Sequence, residues 1–326
     1  MLRAASTLRS FAPRRSVHTL RSLAPAAAPV TADQLDALEA HVRSASRLVV
    51  LTGAGISTPS GIPDYRSPDG SYSRGHKPIT HAEFVRKAEN RQRYWARSFI
   101  GFEVFSRSRP NAAHLALAEL ERGGWIGGGC ITQNVDGLHA AAGMRDCLDL
   151  HGRIDAVECL DCGDRSDRAV LQERLRAANR EWAARRAGAL PAELRADGDA
   201  ELTAAETAAF SVPSCEACGG GTLKPAVTFF GGSVPVEDVE AAREAAERAD
   251  AMLVVGSSVQ VYSAFRLVRA VAERGAPVAL LNNGPTRADA LAALHLHCAA
   301  EEVLPALASR LLARRDADDG EVLIAT

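Results

Sequence analysis

The chain has 326 residues, of which 47% are hydrophobic and 24% are charged, and its formal net charge is -2. This composition is ordinary for a globular protein, and the length allows one large domain plus a smaller one. The near-neutral charge excludes a general attraction to nucleic acid or anionic membrane, and no apolar run reaches the roughly 18 residues that a membrane span needs.

The segment 1–30 differs in composition from the rest of the chain. It contains five arginines and several serines, and the first acidic residue of the protein is Asp33. An arginine- and serine-rich start without acids, and without the continuous apolar core of a secretory signal, is typical of an organelle transit peptide. A disordered basic tail is the alternative. The composition favours a mitochondrion over a plastid only modestly.

The first elements of the predicted fold are a helix and a buried strand. Residues 31–47 begin with capping-box spacing and continue with apolar residues at helical period. The apolar run Leu48–Leu51 predicts a strand that is buried on both faces. It ends at Gly53 and Gly55, where the missing Cβ atoms let the backbone approach a ligand closely.

The turn after this strand begins like a dinucleotide fingerprint, G-x-G, but Thr58 stands in place of the third glycine. Two prolines follow, so the long regular helix of a dehydrogenase cannot start cleanly here. We therefore predict a phosphate-binding turn that leads into an ordered, non-helical loop. That loop carries Asp64, Tyr65 and Arg66, an acid, an aromatic and a cation suited to closing over a bound dinucleotide.

Two helices, over 80–107 and 111–122, are predicted before the second strand, 129–132. This strand runs directly into Gln133-Asn134-Val135-Asp136, whose polar side chains suit a ribose and an amide, although asparagine and aspartate also favour simple turns. A short segment, 147–150, then leads into His151. A histidine there is either a hydrogen-bonded core residue or a proton acceptor, since its unperturbed pKa lies near neutral pH.

Seven cysteines do not make a disulfide scaffold in a chain of this length, but four of them form two C-x-x-C pairs. The pairs are Cys159/Cys162 and Cys215/Cys218. Four thiolates in two knuckles predict a closed, structural Zn2+ site, and a long charged insert must loop out between them. Two disulfides or buried thiols are the alternatives, and a reducing compartment disfavours disulfides.

An alternating strand–helix pattern resumes after the second pair. Strands are predicted at 227–230, 252–255 and 277–281, with helices at 237–249 and 264–274. The last two strands end in Gly256-Ser257-Ser258 and Asn282-Asn283-Gly284. Small and polar residues at strand ends are typical of a doubly wound parallel α/β sheet, which binds ligands beyond those ends. The segment 313–326 is predicted to be a flexible tail.

Taken together, these motifs resemble the sirtuin family of NAD-dependent protein deacylases. The resemblance is carried by GAGISTPSGIPDYR, then QNVD, the His-Gly at 151–152, the two cysteine pairs, GSS and the final N-x-G. It extends over about residues 35–310. Within the family the chain is most similar to the class II, mitochondrial sirtuin 4-like branch, and the segments 91–97 and 254–262 support that branch.

The resemblance implies a reaction in which an acyl-lysine oxygen attacks the nicotinamide ribose of NAD, nicotinamide leaves, and the acyl group ends on ADP-ribose. It implies that His151 is the general base and that Asn134 acts beside it. The implied NAD-binding residues are Gly53, Ala54, Gly55, Ser57, Thr58, Ile62, Pro63, Asp64, Tyr65, Arg66, Gln133, Asn134, Val135, Asp136, Gly256, Ser257, Ser258, Asn282, Asn283, Gly284 and Ala300, with Cys298 an alternative to the last. The implied peptide-binding residues are Val227, Phe229, Phe230 and Gly231.

The domain organisation follows from the same pattern. We predict a Rossmann-like NAD-binding domain over 31–152 and 223–312. Within the first of these ranges, about residues 67–110 are predicted to form a helical part of the small domain. The zinc-binding small domain covers 153–222. The expected partners are acylated-lysine proteins or peptides, without nucleic acid or membrane, and a monomer in the mitochondrial matrix is expected.

Tyr94 and Arg97 carry a hypothesis about the acyl group. At i, i+3 on a helix they share a face, and sirtuins that remove acidic acyl groups use a Tyr-x-x-Arg pair to grip the acyl carboxylate. An arginine fork suits that task. A core aromatic beside a surface salt bridge is an equally serious interpretation.

Four rival functions use similar parts. A hydride-transferring dehydrogenase also pairs a nucleotide fold with a four-cysteine zinc, but the proline-broken loop and the missing third glycine argue against it. Mono-ADP-ribosyl transfer and lipoamidase activity are alternatives that would use the same activated ribose. A catalytically silent NAD-sensing scaffold is disfavoured because His151 and Asn134 are both present.

Overall fold

The computed structural model describes residues 28–186, 196, 202–220 and 222–324. Most of the predicted transit peptide, and a smaller part of the insert between the cysteine pairs, lie outside these residues. No helix within the described ranges combines the length and the apolar character that crossing a bilayer requires.

Strands and helices alternate along most of the described chain. The strands are β1 Leu48–Thr52, β2 Cys130–Thr132, β3 Cys147–Asp149, β4 Gly152–Cys159, β5 Arg165–Asp167, β6 Leu223–Val227, β7 Ala251–Val255, β8 Val278–Leu281 and β9 Leu294–Leu296. The α-helices are α1 Ala32–Arg43, α2 His81–Arg86, α3 Ala88–Phe105, α4 Ala112–Arg122, α5 Leu138–Ala141, α6 Arg168–Ala178, α7 Arg180–Arg186, α8 Ala204–Ala208, α9 Val236–Arg248, α10 Tyr262–Glu273 and α11 Ala300–Ile324.

Six strands form one sheet in the order β3-β2-β1-β7-β8-β9, and every pairing in it is parallel. Side chains of α1, α4 and α11 pack on one face, and those of α9 and α10 pack on the other. Because both faces are covered, β1, β7 and β8 are buried along their whole length. The predicted doubly wound α/β sheet is confirmed.

The strand order places a ligand crevice between β1 and β7. On one side of β1 the sheet continues with β2 and then β3. On the other side it continues with β7, β8 and β9, so the strand order reverses direction between β1 and β7. In open parallel sheets this reversal opens a gap beyond the carboxyl ends of the strands. Gly53 and Gly256 follow directly after the two strands and therefore stand at its floor.

A second, three-stranded sheet has the order β5-β4-β6, and both of its pairings are antiparallel. It packs with α3 and α6 around a separate core that contains Phe84, Trp95, Phe99 and Phe210. The buried indole of Trp95 donates a hydrogen bond to the carbonyl of Leu223, which ties α3 to β6. This small sheet carries the cysteine pairs at its ends.

The predicted strand at 227–230 is wrong. The strand here is β6, Leu223–Val227, and it pairs with β4 of the small sheet instead of joining the main one. The bulky residues Phe229 and Phe230 suggested extended structure, but the chain leaves the ladder after Val227. The main-domain boundary predicted at 223 therefore conflicts with the pairing of β6.

Three further boundaries differ from the sequence prediction. The helix at 80–107 is split by Lys87, whose backbone is extended, into α2 and α3. The loop after β1, predicted to be non-helical, forms a 3-10 helix over Ala54–Ser60, which admits Pro59 in its short turns. The segment predicted to be a flexible tail is helical, since α11 continues to Ile324.

Candidate functional site

A cleft of about 1020 Å³ opens at the carboxyl edge of the main sheet, between it and the small domain. Most of the residues singled out in the sequence line it. They are Gly53, Ala54, Gly55, Thr58, Asp64, Tyr65, Arg66, Gln133, Asn134, Val135, His151, Phe229, Phe230, Gly231, Gly256, Ser257, Ser258, Asn282, Asn283, Gly284, Ala300 and Cys298. The volume is large enough for a dinucleotide together with part of a second ligand.

Seven singled-out residues do not line this cleft: Ser57, Ile62, Pro63, Tyr94, Arg97, Asp136 and Val227. Ile62 instead packs in a small core with Phe105 and Leu138. Val227 borders a second cavity, of about 470 Å³, on the other side of the segment that follows β6. The sequence motifs therefore mix residues that face the cleft with residues that support them.

The two glycines after β1 are required by a close approach between loops. A Cβ atom on Gly55 would lie 2.8 Å from the carbonyl oxygen of Gly256, and one on Gly53 would lie 2.7 Å from the Cβ of Ser257. Gly55 also donates a hydrogen bond to that carbonyl at 2.8 Å. Gly256 itself has φ +58, in the left-handed region. The glycines thus hold the two loops together at the floor of the cleft.

Asn134 is fixed by a hydrogen-bond network beneath the cleft. Its amide nitrogen donates to the carbonyl of Gly53 and to Ser57 Oγ, each at 3.1 Å. Ser57 Oγ in turn donates to a carboxylate oxygen of Asp136 at 2.7 Å. Burial raises the pKa of Asp136, and its hydrogen bonds oppose that shift. Ser57 and Asp136 therefore orient Asn134 from behind.

Gln133 connects three strands of the main sheet. Its side-chain amide donates to Ser257 Oγ at 2.7 Å and to the carbonyl of Thr52 at 3.2 Å. These contacts join the ends of β1, β2 and β7. Gln133 also lines the cleft, so this polar side chain is held in place by hydrogen bonds to the protein beneath it.

The imidazole of His151 has a defined tautomer. Its Nδ1 lies 3.0 Å from the carbonyl oxygen of Gln133, an atom that only accepts, so Nδ1 carries the proton and donates. Nε2 is then the basic nitrogen, and it accepts a hydrogen bond from Ser263 Oγ at 2.8 Å. Burial lowers the pKa of His151, which favours this neutral form of the ring at physiological pH.

Ser263 was missed by the sequence analysis. It lies in the first turn of α10, next to Tyr262, and it lines the cleft. It lies eight residues beyond the end of β7, and no recognisable motif marks its position. Only the fold brings its hydroxyl to His151.

An aromatic cluster closes one side of the cleft. The ring of Tyr65 lies 5.4 Å from that of Tyr72 and 6.3 Å from that of Phe230, centroid to centroid. The guanidinium of Arg66 stands 5.2 Å from the centre of the Tyr72 ring. The carboxylate of Asp64 accepts hydrogen bonds from two backbone amides of the same loop, which fixes the turn. The cluster joins the loop after β1 to the small domain.

The segment after β6, which supplies Phe230 to this cluster, forms a wall of the cleft. Phe229, Phe230 and Gly231 line the cleft, and Phe230 is 37% exposed. The backbone N–H of Thr228 donates to the carbonyl of His151 at 2.8 Å. This wall is therefore bonded directly to the main chain of the histidine.

The far end of the cleft has an acceptor that a ligand can satisfy. Asn283 Oδ1 is buried and has no hydrogen-bond partner among the described residues. It lies beside Asn282 and Gly284 at the end of β8, where a ribose hydroxyl is the kind of donor that fits. The polar side chains at the base of the cleft and this acceptor at its far end together suit a dinucleotide.

Tyr94 belongs to the aromatic core of the small domain. Its ring contacts those of Phe84, Trp95 and Phe229 at centroid distances of 5.2–5.4 Å, and the side chain is 4% exposed. Of these neighbours only Phe229 lines the cleft. Tyr94 and Arg97 thus lie behind the cleft wall, as the core interpretation expects for the tyrosine.

The two cysteine pairs converge as predicted. The Sγ atoms of Cys159 and Cys218 are 3.7 Å apart, those of Cys162 and Cys215 are 3.9 Å apart, and all four lie within 4.8 Å of one another. Sulfur atoms around a tetrahedral Zn2+ with bonds of about 2.3 Å lie about 3.8 Å apart. All four cysteines are free, which excludes disulfides between them in this structure. The donor set fits zinc.

Two further histidines lie outside the cleft. His114 and His139 lie ring to ring at 5.0 Å, and neither lines the cleft. Burial lowers the pKa of His114 to about 3 and that of His139 to about 4, so both rings are neutral at physiological pH.

Comparisons with known proteins agree with this geometry. The Sir2 family profile matches residues 53–263. The mitochondrial NAD-dependent protein lipoamidase sirtuin-4 of Bos taurus is 44% identical over 306 residues, covering 92% of this chain and 94% of its own. An NAD-dependent protein deacetylase of Bordetella bronchiseptica is 49% identical over 275 residues, covering 84% and 97%. A solved Sir2 homologue in complex with NAD is 29% identical, with a TM-score of 0.64, and the match covers 86% of this chain and 94% of that one.

Proposed function

The chain belongs to the Sir2 family, and from that premise we propose that it is an NAD-dependent protein lysine deacylase whose general base is His151. The observation that carries the proposal is the placement of His151, which lines a cleft sized for a dinucleotide and whose Nδ1 lies against the carbonyl oxygen of Gln133, so that Nε2 is left as the basic nitrogen. Incubation with NAD and an acetylated peptide, followed by mass spectrometry, tests it. Free nicotinamide and acylated ADP-ribose are expected; reduced NAD with an intact peptide would overturn the assignment.

NAD supplies a ribose whose nicotinamide is a good leaving group. In the proposed site Asn134 holds the reactive end through an amide that Ser57 and Gly53 fix in place. Tyr65 excludes water from that end because its ring packs against Tyr72 and Phe230. His151 takes a proton from the substrate at Nε2, while its Nδ1 stays bonded to the carbonyl of Gln133.

The acyl peptide is proposed to lie between the two domains, against Phe229, Phe230 and Gly231. These residues line the cleft just beyond β6, where the strand has ended. Zinc is proposed at the four cysteines, where it closes the end of the small sheet without an open coordination position. The metal then has a structural role only.

The pH dependence of the reaction follows from the base. Burial lowers the pKa of His151 below its ordinary value of 6.5, although its bond to Gln133 acts in the opposite direction. A base must be neutral to accept a proton, so activity is full above this pKa and falls as the pH drops through it. We expect kcat/KM to lose half its value at a pH below 6.5. A pH profile with an acid midpoint above that value would contradict the assignment.

Acyl preference is the open part of the function, and we propose that Arg97, with Tyr94, recognises an acyl carboxylate behind Phe229. Wild type and Arg97→Ala are to be compared on acetyl, glutaryl, hydroxymethylglutaryl and lipoyl peptides. A charge-assisted hydrogen bond contributes about 1.5–3 kcal/mol, so rates on the two acidic acyl groups are expected to fall about 10- to 100-fold, and those on the neutral groups much less.

Arg93→Ala is the matched control for this test. Arg93 lies on the same helix one turn earlier and is exposed. The Arg93→Ala variant should deacylate all four peptides at rates close to those of wild type. An equal relative loss on charged and neutral acyl groups in Arg97→Ala would eliminate the acidic pocket and favour a neutral chain, such as the lipoyl group named for the bovine relative.

The proposal also covers the location of the protein, its oligomeric state and a second activity. The bovine relative is mitochondrial, so we propose the mitochondrial matrix for this protein. We propose that it acts as a monomer, a state that sedimentation analysis checks directly. Mono-ADP-ribosyl transfer from the same site is tested by adenine-labelled NAD, since label retained on an acceptor protein would reveal it.

A further inference from the structure

Outside the cleft, three side chains with soft ligand atoms meet on one face of the main sheet: Cys130, His139 and Cys147. Their ligand atoms all lie within 4.8 Å of one another. Cys130 and Cys147 stand opposite each other in register on β2 and β3, and His139 lies on α5, which follows β2. Cys130 and His139 are each 2% exposed, and Cys147 is half-buried on the edge strand.

The two ring nitrogens of His139 have different surroundings. Nε2 lies 2.8 Å from Thr52 Oγ1, and that hydroxyl donates its own proton to Thr132 Oγ1 at 2.8 Å. Because a threonine hydroxyl has only one proton, Nε2 is the nitrogen that carries a hydrogen and donates. Nδ1 is then a buried lone pair, and it has no hydrogen-bond partner in the part of the chain that the structure describes.

We propose that Cys130, His139 Nδ1 and Cys147 form a second metal site, for a thiophilic divalent cation of the zinc class. Two thiolates and one imidazole are ligands that Zn2+ prefers, and no oxygen ligand is present to favour Mg2+ or Ca2+. Two thiolates neutralise a divalent ion, whereas Cu+ would leave a net negative charge in a buried cluster. Binding releases one proton from each thiol.

The geometry requires little adjustment. Ligand atoms around tetrahedral zinc lie about 3.8 Å apart at most, so a cluster within 4.8 Å needs only a small contraction. The fourth position is left to water, which reaches the cluster at the sheet edge where Cys147 is half-buried. The site differs in this respect from the closed four-cysteine site of the small sheet.

The second site is connected to the cleft by hydrogen bonds. His139 donates to Thr52, Thr52 donates to Thr132, and Thr132 Oγ1 also accepts the backbone N–H of Asn134 at 3.1 Å. A metal on Nδ1 withdraws electrons from the ring and strengthens donation by Nε2. Occupancy of the site is thereby coupled to the residues that hold Asn134.

Cobalt titration tests the proposal on the full chain with zinc already in its four-cysteine site, in the presence of a phosphine reductant that keeps thiols reduced. One equivalent of Co2+ is expected to produce thiolate-to-metal absorption without zinc release, which a chromogenic chelator monitors. Release of two protons per cobalt is expected in weakly buffered solution. Cys147→Ser should reduce the absorption to less than a tenth.

Cys298→Ser is the matched control, because Cys298 is a free thiol outside both clusters. It should keep the full cobalt signal, and circular dichroism verifies that both variants remain folded. The proposal is wrong if no absorption develops, if Cys147→Ser keeps it, or if the absorption grows only in step with zinc release, which would indicate exchange at the four-cysteine site.

Discussion

Replacing His151 by alanine is expected to lower kcat/KM for deacylation by about 10²- to 10⁴-fold, the usual cost of losing a positioned general base. The reason is structural: His151 is the ring whose lone pair is held at the cleft, by a backbone carbonyl on one side and Ser263 on the other. Nicotinamide exchange is to be measured in parallel. Nicotinamide leaves before the base acts, so exchange should survive better than deacylation.

His297→Ala is the control for this prediction. His297 is exposed, packs against His295 and does not line the cleft. It should retain wild-type activity. Ser263→Ala should lie between the two variants, because it loosens the imidazole without removing it. If His151→Ala kept more than about a tenth of wild-type kcat/KM, the proton acceptor would have to be another group.

Removing zinc from the four-cysteine site, by a strong chelator or by Cys215→Ser, is expected to unfold the small domain. Apparent zinc binding to such sites is worth roughly 10–16 kcal/mol, as much as the whole stability of an ordinary domain. Cys215 is 3% exposed and belongs to the same core as Trp95 and Trp182. Tryptophan fluorescence and near-UV circular dichroism should therefore report the loss, together with one released zinc.

The main sheet provides the internal control for zinc removal. Its cores contain none of the four cysteines, so far-UV dichroism should keep the signal of the larger domain. Cys298→Ser, which changes a buried thiol of that domain, should leave zinc content and tryptophan fluorescence unchanged. An apo protein with an unaltered near-UV spectrum would mean that the small core does not depend on the metal.

The main sheet and its cleft were predictable because their signals are local. A fully buried parallel strand is a continuous apolar run, and each such run here ends in glycine or a small polar residue. The order of strands then places these ends together. The cysteine pairs were equally clear, since their spacing is specific to a metal site.

The small sheet was harder to predict, because β4 and β6 pair across a long insert. Lys224 and Pro225 interrupt the apolar pattern of β6, yet Leu223 pairs with Cys159 at the base of the cysteine cluster. The apolar residues just after β6 looked more like a strand but line the cleft instead. Local propensity was overridden by tertiary pairing here.

The structure was also needed to separate the motif residues that line the cleft from those that hold the lining residues in place. Ser57 and Asp136 belong to motifs that contain cleft-lining residues, but both lie in the hydrogen-bond network that holds Asn134. Ser263 has no motif and still reaches His151. Which side of a turn a polar residue faces depends on its partners in three dimensions, and a single sequence does not contain that information.

The hydrogen bond from Thr228 to the carbonyl of His151 has a mechanical consequence. It links the backbone against which a target polypeptide would rest to the residue that carries the imidazole. A displacement of that wall would therefore act on the main chain of His151 through this one hydrogen bond.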